Sequence, residues 1–207
     1  MNQAWELLFE GKIEEAKKLV SETFSLETCK DYSLLNLMGY IKLFEKDYQE
    51  ALLIYQKYLE IAISSQDKEN EHIGYHQLAM VYREMNDYQT ALNYIDKERE
   101  VIEDSFSEDA LKFSVNNYEQ GYLRFKIGEI EKSIMYMEQS LKQALQTDDL
   151  IAQACAYRGL GEIYRKLDSS KSYDYFNHAI NLFDKAGDEI GADEVRALIV
   201  NKKSETK

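Results

Sequence analysis

His72 and His76 lie four residues apart, with Glu71 beside them. On a helix that spacing turns both imidazoles to one face, as a two-histidine metal site requires. The neighbours do not complete such a site. Glutamate occupies neither internal position that a metalloprotease helix needs, no third ligand lies nearby in sequence, and His178, the remaining histidine, belongs to a distant segment. The pair reads as histidines on a surface or groove. Other chemistries fare no better. Glu14 with Glu15 and Asp148 with Asp149 are adjacent in sequence, so on helices they diverge instead of converging as a catalytic dyad would. The glycines are single and scattered, which leaves no phosphate-cradling loop, and neither a GxSxG elbow nor a Cys/His arrangement offers a nucleophile. Cys29 and Cys155 are the two cysteines, without CxxC spacing, and read as helix-packing thiols in a reducing setting. No catalytic residue, metal or cofactor is expected.

The elements that must position any binding residues are helices. All 207 residues contain no proline, where about ten would be ordinary, and no strand-length run alternates β-branched with polar residues. With 44% hydrophobic residues the chain can bury a core as one folded unit, and an all-α fold follows. A net charge of −13 disfavours direct contact with nucleic acid or an anionic membrane. The N-terminal MNQAWELLFEGKIEEAKK mixes acids with apolar residues and lacks a signal-peptide core, and no apolar stretch approaches membrane-spanning length. A cytoplasmic protein is expected.

The chain repeats itself. KLFEKDYQEAL at 42–52 returns as YREMNDYQTAL at 82–92. Small residues recur at Gly39, Ala79, Gly121 and Gly161, and twelve residues after the first three stand Ala51, Ala91 and Ser133. Between each small pair lies a turn: EKDY at 45–48, MNDY at 85–88, IGEI at 127–130. Each unit is therefore a helical hairpin whose axes approach closely where side chains are small. Tyr48, Tyr55, Tyr82, Tyr88 and Phe176 fall at helical spacing around these crossings and read as packing. EGKIEEAKKLV at 10–20 matches a turn and second helix with Gly11 and Ala16, behind a clipped first helix, AWELLF. The last unit loses one residue at its turn and puts Ser172 or Tyr173 at the small position, so a slightly irregular hairpin is expected there. Beyond it, Ile190, Val195, Leu198 and Ile199 form a stripe suited to a capping helix, followed by a frayed NKKSETK tail.

On these small residues, turns and second-helix pairs the chain resembles the tetratricopeptide repeat. It departs from that family's usual 34-residue, proline-closed unit; repeats of about 40 residues without proline resemble the long-helix variety of bacterial peptide sensors such as the Rap and NprR regulators. The resemblance implies one α-α superhelix of about four full hairpins, with repeats near 2–27, 31–65, 71–105, 113–147 and 153–186 and a capping helix near 188–201.

In that family the face three before, one after and four or five after each small residue resembles a ligand groove. Here it comprises Asn36, Tyr40, Leu43 and Phe44; His76, Met80, Arg83 and Glu84; Tyr118, Tyr122, Phe125 and Lys126; and Arg158, Glu162, Arg165 and Lys166. An extended peptide could rest apolar groups on Tyr40, Tyr118, Tyr122 and Phe125, meet Asn36 with its backbone and place a carboxylate near Arg158 or Lys166. The competing reading pairs the bases with helix acids, for instance Arg158 with Glu162.

A non-enzymatic module that binds a peptide or protein segment is the leading expectation. A structural or assembly subunit is the alternative, with homodimerisation left open by AWELLF. A peptide-responsive transcription regulator is the second alternative; with repeats starting almost at residue 2 it would lack its own DNA-binding region and need a partner chain.

Overall fold

A computed structural model describes residues 2–21 and 24–205, with side chains described for residues 3–21 and 24–200. Among the described residues there are eleven helices and no strand. They are α1 (Asn2–Phe9), α2 (Ile13–Ser21), α3 (Tyr32–Phe44), α4 (Tyr48–Ser65), α5 (Lys68–Glu84), α6 (Tyr88–Ser105), α7 (Ala110–Lys126), α8 (Ile130–Ala144), α9 (Leu150–Tyr164), α10 (Ser169–Ala186) and α11 (Glu189–Glu205). The chain forms two compact units, Met1–Ser105 and Phe106–Lys207. The first holds the hairpins α1–α2, α3–α4 and α5–α6, and the second holds α7–α8, α9–α10 and the final helix α11. Residues 201–205 of the tail are helical; its last two residues lie outside the described part.

Helix starts follow one chemical rule. Asp31, Asp47, Asp67, Asp109, Asp149 and Asp168 precede α3, α4, α5, α7, α9 and α10, and each carboxylate accepts a backbone N–H of the first turn that has no carbonyl partner. The turns inside the hairpins share a geometry as well. Lys46, Asn86 and Gly128 adopt left-handed backbone, with φ of 59°, 61° and 85°. The following N–H then reaches back to Lys42, Tyr82 and Arg124 at 2.9 Å, closing each first helix with the six-to-one bond of a left-handed cap. Glycine suits the conformation best, and Lys46 and Asn86 adopt it at a small steric cost. The turn after α9 spans residues 165–168, one residue more than the three-residue turns of the other hairpins, and has no left-handed residue.

The small residues sit where the helices of a hairpin cross. A Cβ added to Gly39 would enter the ring of Tyr55, and one added to Gly161 would stand 2.5 Å from Cδ1 of Phe176. Gly121 faces the backbone of α8, where an added Cβ would stand 3.1 Å from the Met137 nitrogen. Ala51, Ala79 and Ala91 are fully buried. Ser133 and Ser172 occupy the facing position in α8 and α10, and each hydroxyl donates to the carbonyl of the opposing glycine, Gly121 or Gly161, at 2.8 Å. Of the two residues competing for that place in α10, Ser172 takes it and Tyr173 points to solvent. The core of each unit grows from these crossings. Leu35, Leu37, Ile41, Ile54 and Tyr58 fill the first unit beside Ala4 and Leu8 of α1. Phe176, Ala179 and Phe183 of α10 meet Ala192 and Val195 of α11 in the second.

Candidate functional site

In the first unit α3 and α5 are neighbours, and a polar cluster forms where they meet. Asn36 and Tyr40 lie one turn apart on α3, hence on one face. The Nε2 group of Gln77, on α5, donates to the Tyr40 hydroxyl at 3.5 Å. Gln77 is 6% exposed, yet its Oε1 accepts no hydrogen bond, and neither does the buried Oδ1 of Asn36. A buried amide oxygen without a donor costs about 1–3 kcal/mol, so each is a standing demand for an N–H group.

Tyr40 joins this cluster to an aromatic ladder. The Trp5 ring of α1 meets Tyr40 edge-on, with centroids 5.6 Å apart and planes at 73°. Phe9 stacks on Trp5 at 5.7 Å and 23° and is 68% exposed. Phe44, one turn beyond Tyr40 on α3, is also exposed.

The other residues expected on this face are placed differently. Leu43 packs with Tyr48 and Tyr82 against Ala51, Tyr55 and Val81, so it belongs to the core between α3, α4 and α5. Met80 is buried. His76 turns to α6, where its Nδ1 lies 3.1 Å from the Glu98 carboxylate, and His72 stands between Glu98 and Glu69 at 3.9 and 3.4 Å. Each imidazole thus faces a carboxylate. Arg83 lies 3.5 Å from the exposed Glu84.

In the second unit Tyr118 and Tyr122 of α7 stack at 6.4 Å and, with Phe125, pack on Met137, Leu160 and Ile163. Lys126 lies over the Tyr122 ring, 5.4 Å from its centre. The guanidinium of Arg158 is committed twice, from Nε to Glu162 at 3.0 Å and from Nη1 to Glu194 of α11 at 2.7 Å. Burial alone would lower its pKa, but Glu162 and Glu194 outweigh it and raise it. A carboxylate is already supplied at the position where a peptide terminus was expected. Arg165 and Lys166 make no ion pair among the described residues.

A cavity of about 320 Å³ opens between α7, α8 and α9, lined by Leu111, Val115, Tyr118, Ile151, Ala152 and Cys155, with Ser114 and Ser140 at its floor. Only Tyr118 of these was expected. Val115 and Cys155 each stand six residues before their glycine, Gly121 or Gly161, and that shared offset is the signal that could have found them. Burial pushes the Cys155 thiol up to about 11, and burial with Glu119, Cys155 and Glu162 nearby holds the Tyr118 phenol well above its ordinary value. Neither group is primed for nucleophilic work.

Residues 31–104, spanning α3 to α6, match the tetratricopeptide-repeat family model. Residues 31–104 carry tetratricopeptide repeats. The 43 kDa receptor-associated protein of the synapse from Tetronarce californica is 27% identical over 146 residues, which are 70% of this chain and 35% of that protein. The chain spans about a third of the length of the curated relatives it matches. Among solved structures, aspartyl phosphate phosphatase F from Bacillus subtilis superposes with a TM-score of 0.72 at 11% identity, over 97% of this chain and 57% of that one. The apo form of RapI superposes with a TM-score of 0.63 at 15% identity, over 94% and 57%. At such identities the likeness is one of fold alone. The matched model describes a repeat, not a catalytic domain. No helix among the described residues is long and apolar enough to cross a membrane.

Proposed function

We propose that the chain is a non-enzymatic interaction module that holds an extended peptide or protein segment against the α3–α5 face of its first unit. The observation that carries this reading is the pair of buried, unpartnered amide oxygens, Asn36 Oδ1 and Gln77 Oε1, beside Tyr40. An extended backbone presents N–H groups at regular intervals and satisfies both without any particular side chain. The fold supports the reading because tetratricopeptide hairpins are interaction scaffolds, and the name of the Tetronarce relative describes a protein associated with a receptor.

The test separates binding from stability. Asn36→Leu and Gln77→Met keep volume while removing the oxygens. Each variant should unfold at higher denaturant than wild type, by about 1 kcal/mol, and the two together should bind peptides selected from a random displayed heptapeptide library at least tenfold more weakly. Selection that yields no peptide, or peptides held equally by the double variant, overturns the reading.

A further inference from the structure

The first unit holds more than an amide pair. Its face continues through Tyr40 to Trp5 and ends on Phe9, whose ring is 68% exposed although its other side stacks on Trp5. A large apolar group left in water beside demanding amide oxygens is a paired arrangement: one part takes backbone, the other a side chain. The two parts are linked by contact, since the Tyr40 ring touches Trp5 while its hydroxyl accepts from Gln77. Charge narrows the occupant further. Residues 1–105 carry 21 acids and 11 bases, whereas residues 106–207 carry 17 and 14, so most of the net charge of −13 resides in the unit that bears this face. Such a field draws in cations and repels acidic chains.

Resting on the function proposed above, we infer that this face selects a net-basic extended segment carrying one bulky apolar side chain, which seats on the Trp5–Phe9 ladder while the adjoining backbone satisfies Asn36 and Gln77. A second copy of this chain would be a poor occupant, because each copy brings its own acidic first unit. An aromatic or long aliphatic side chain laid on the Phe9 ring removes apolar surface from water on both partners.

The experiment uses the full chain and a displayed library of random heptapeptides. Enriched peptides should be net-basic, with Phe, Trp, Leu or Met recurring at one position. Trp5 is the single tryptophan of the chain, so a synthetic winner should shift its fluorescence emission, and raising salt from 50 to 500 mM should weaken binding several-fold. Phe9→Ser removes an exposed ring and leaves the core intact; it should cost about tenfold in affinity for the winner and abolish the apolar preference among newly selected peptides. Winners that depend on Gln77 but not on Phe9, with unmoved Trp5 emission, overturn this inference and leave the proposed function standing. Acidic winners overturn it likewise. A dimer seen by light scattering that Phe9→Ser converts to monomer assigns the ladder to self-association and also overturns it. No winner at all removes both readings.

Discussion

Ser114 and Ser140 each donate a side-chain hydroxyl to the other's backbone carbonyl, across 3.0 and 2.8 Å, at a buried crossing of α7 and α8. Both carbonyls also belong to helices, so the hydroxyls bring two donors to oxygens that have a second lone pair free. Ser114→Ala and Ser140→Ala should each lower unfolding free energy by about 1 kcal/mol, and the double variant by about the sum, because each bond has its own donor. Urea denaturation measures this. A loss below about 0.3 kcal/mol in both single variants would show that helix propensity gained by alanine cancels the bond.

How far the sequence discloses the fold depends on whether the cause is local. Gly39 and Gly161 announce a close helix crossing because only a missing side chain admits Tyr55 or Phe176, and the spacing of such residues repeats. Asp47 announces a helix start for an equally local reason, its carboxylate serving the next turn. The Ser114–Ser140 pair is not legible: serine is usually a surface residue, and its burial follows from two helices meeting 26 residues apart. The site divides in the same way. Tyr40 and Asn36 share a face by helical spacing alone. Leu43 was expected with them, yet four residues after Gly39 the helix already turns toward α4 and α5. Gln77 was missed because a glutamine inside a helix gives no sign that its oxygen is buried and unpaired. The ion pair of Arg158 with Glu162 is readable at four-residue spacing, whereas Glu194 enters only through the docking of α11.

Gly161 tests the crossing itself. Alanine is the better helix former by about 1 kcal/mol, so at an indifferent position Gly161→Ala would stabilise. Here its Cβ would stand 2.5 Å from the ring of Phe176, a side chain 2% exposed with nowhere to move. Overpacking costs about 1–3 kcal/mol, and net destabilisation should follow, partly relieved in Gly161→Ala/Phe176→Leu. Thermal unfolding of the three variants reads the outcome; a single variant as stable as wild type would mean that α9 and α10 separate without penalty.

Cys155 gives a pH-dependent prediction. Burial raises its thiol from 9.0 to about 11 in the folded chain, so the unfolded state ionises first as pH rises. The stabilising contribution of the neutral, buried thiol is fully present below about pH 9 and is lost between pH 9 and 11. At neutral pH the thiolate fraction should be about a hundredfold smaller than in denatured chain. Iodoacetamide labelling followed by peptide mass spectrometry should show Cys155 modified at least that much more slowly in native protein. Equal rates in native and urea-denatured protein would contradict the burial that assigns this cysteine to packing.

Arg158 ties α9 to α11 through Glu194 while answering Glu162 on its own helix. All three side chains remain partly exposed, and a pair of that kind contributes about 0.5 kcal/mol. Two pairs on one guanidinium give about 1 kcal/mol, and one of them holds a terminal helix. Arg158→Ala should therefore speed amide exchange along α11 about fivefold while α3 and α5 keep wild-type protection. Glu194→Gln should reproduce about half of that effect, and 0.5 M salt should shrink both. If Arg158→Ala instead abolished binding of a selected heptapeptide while leaving α11 protection unchanged, the guanidinium would be reading ligand, and the assignment of the binding face to the first unit would fail.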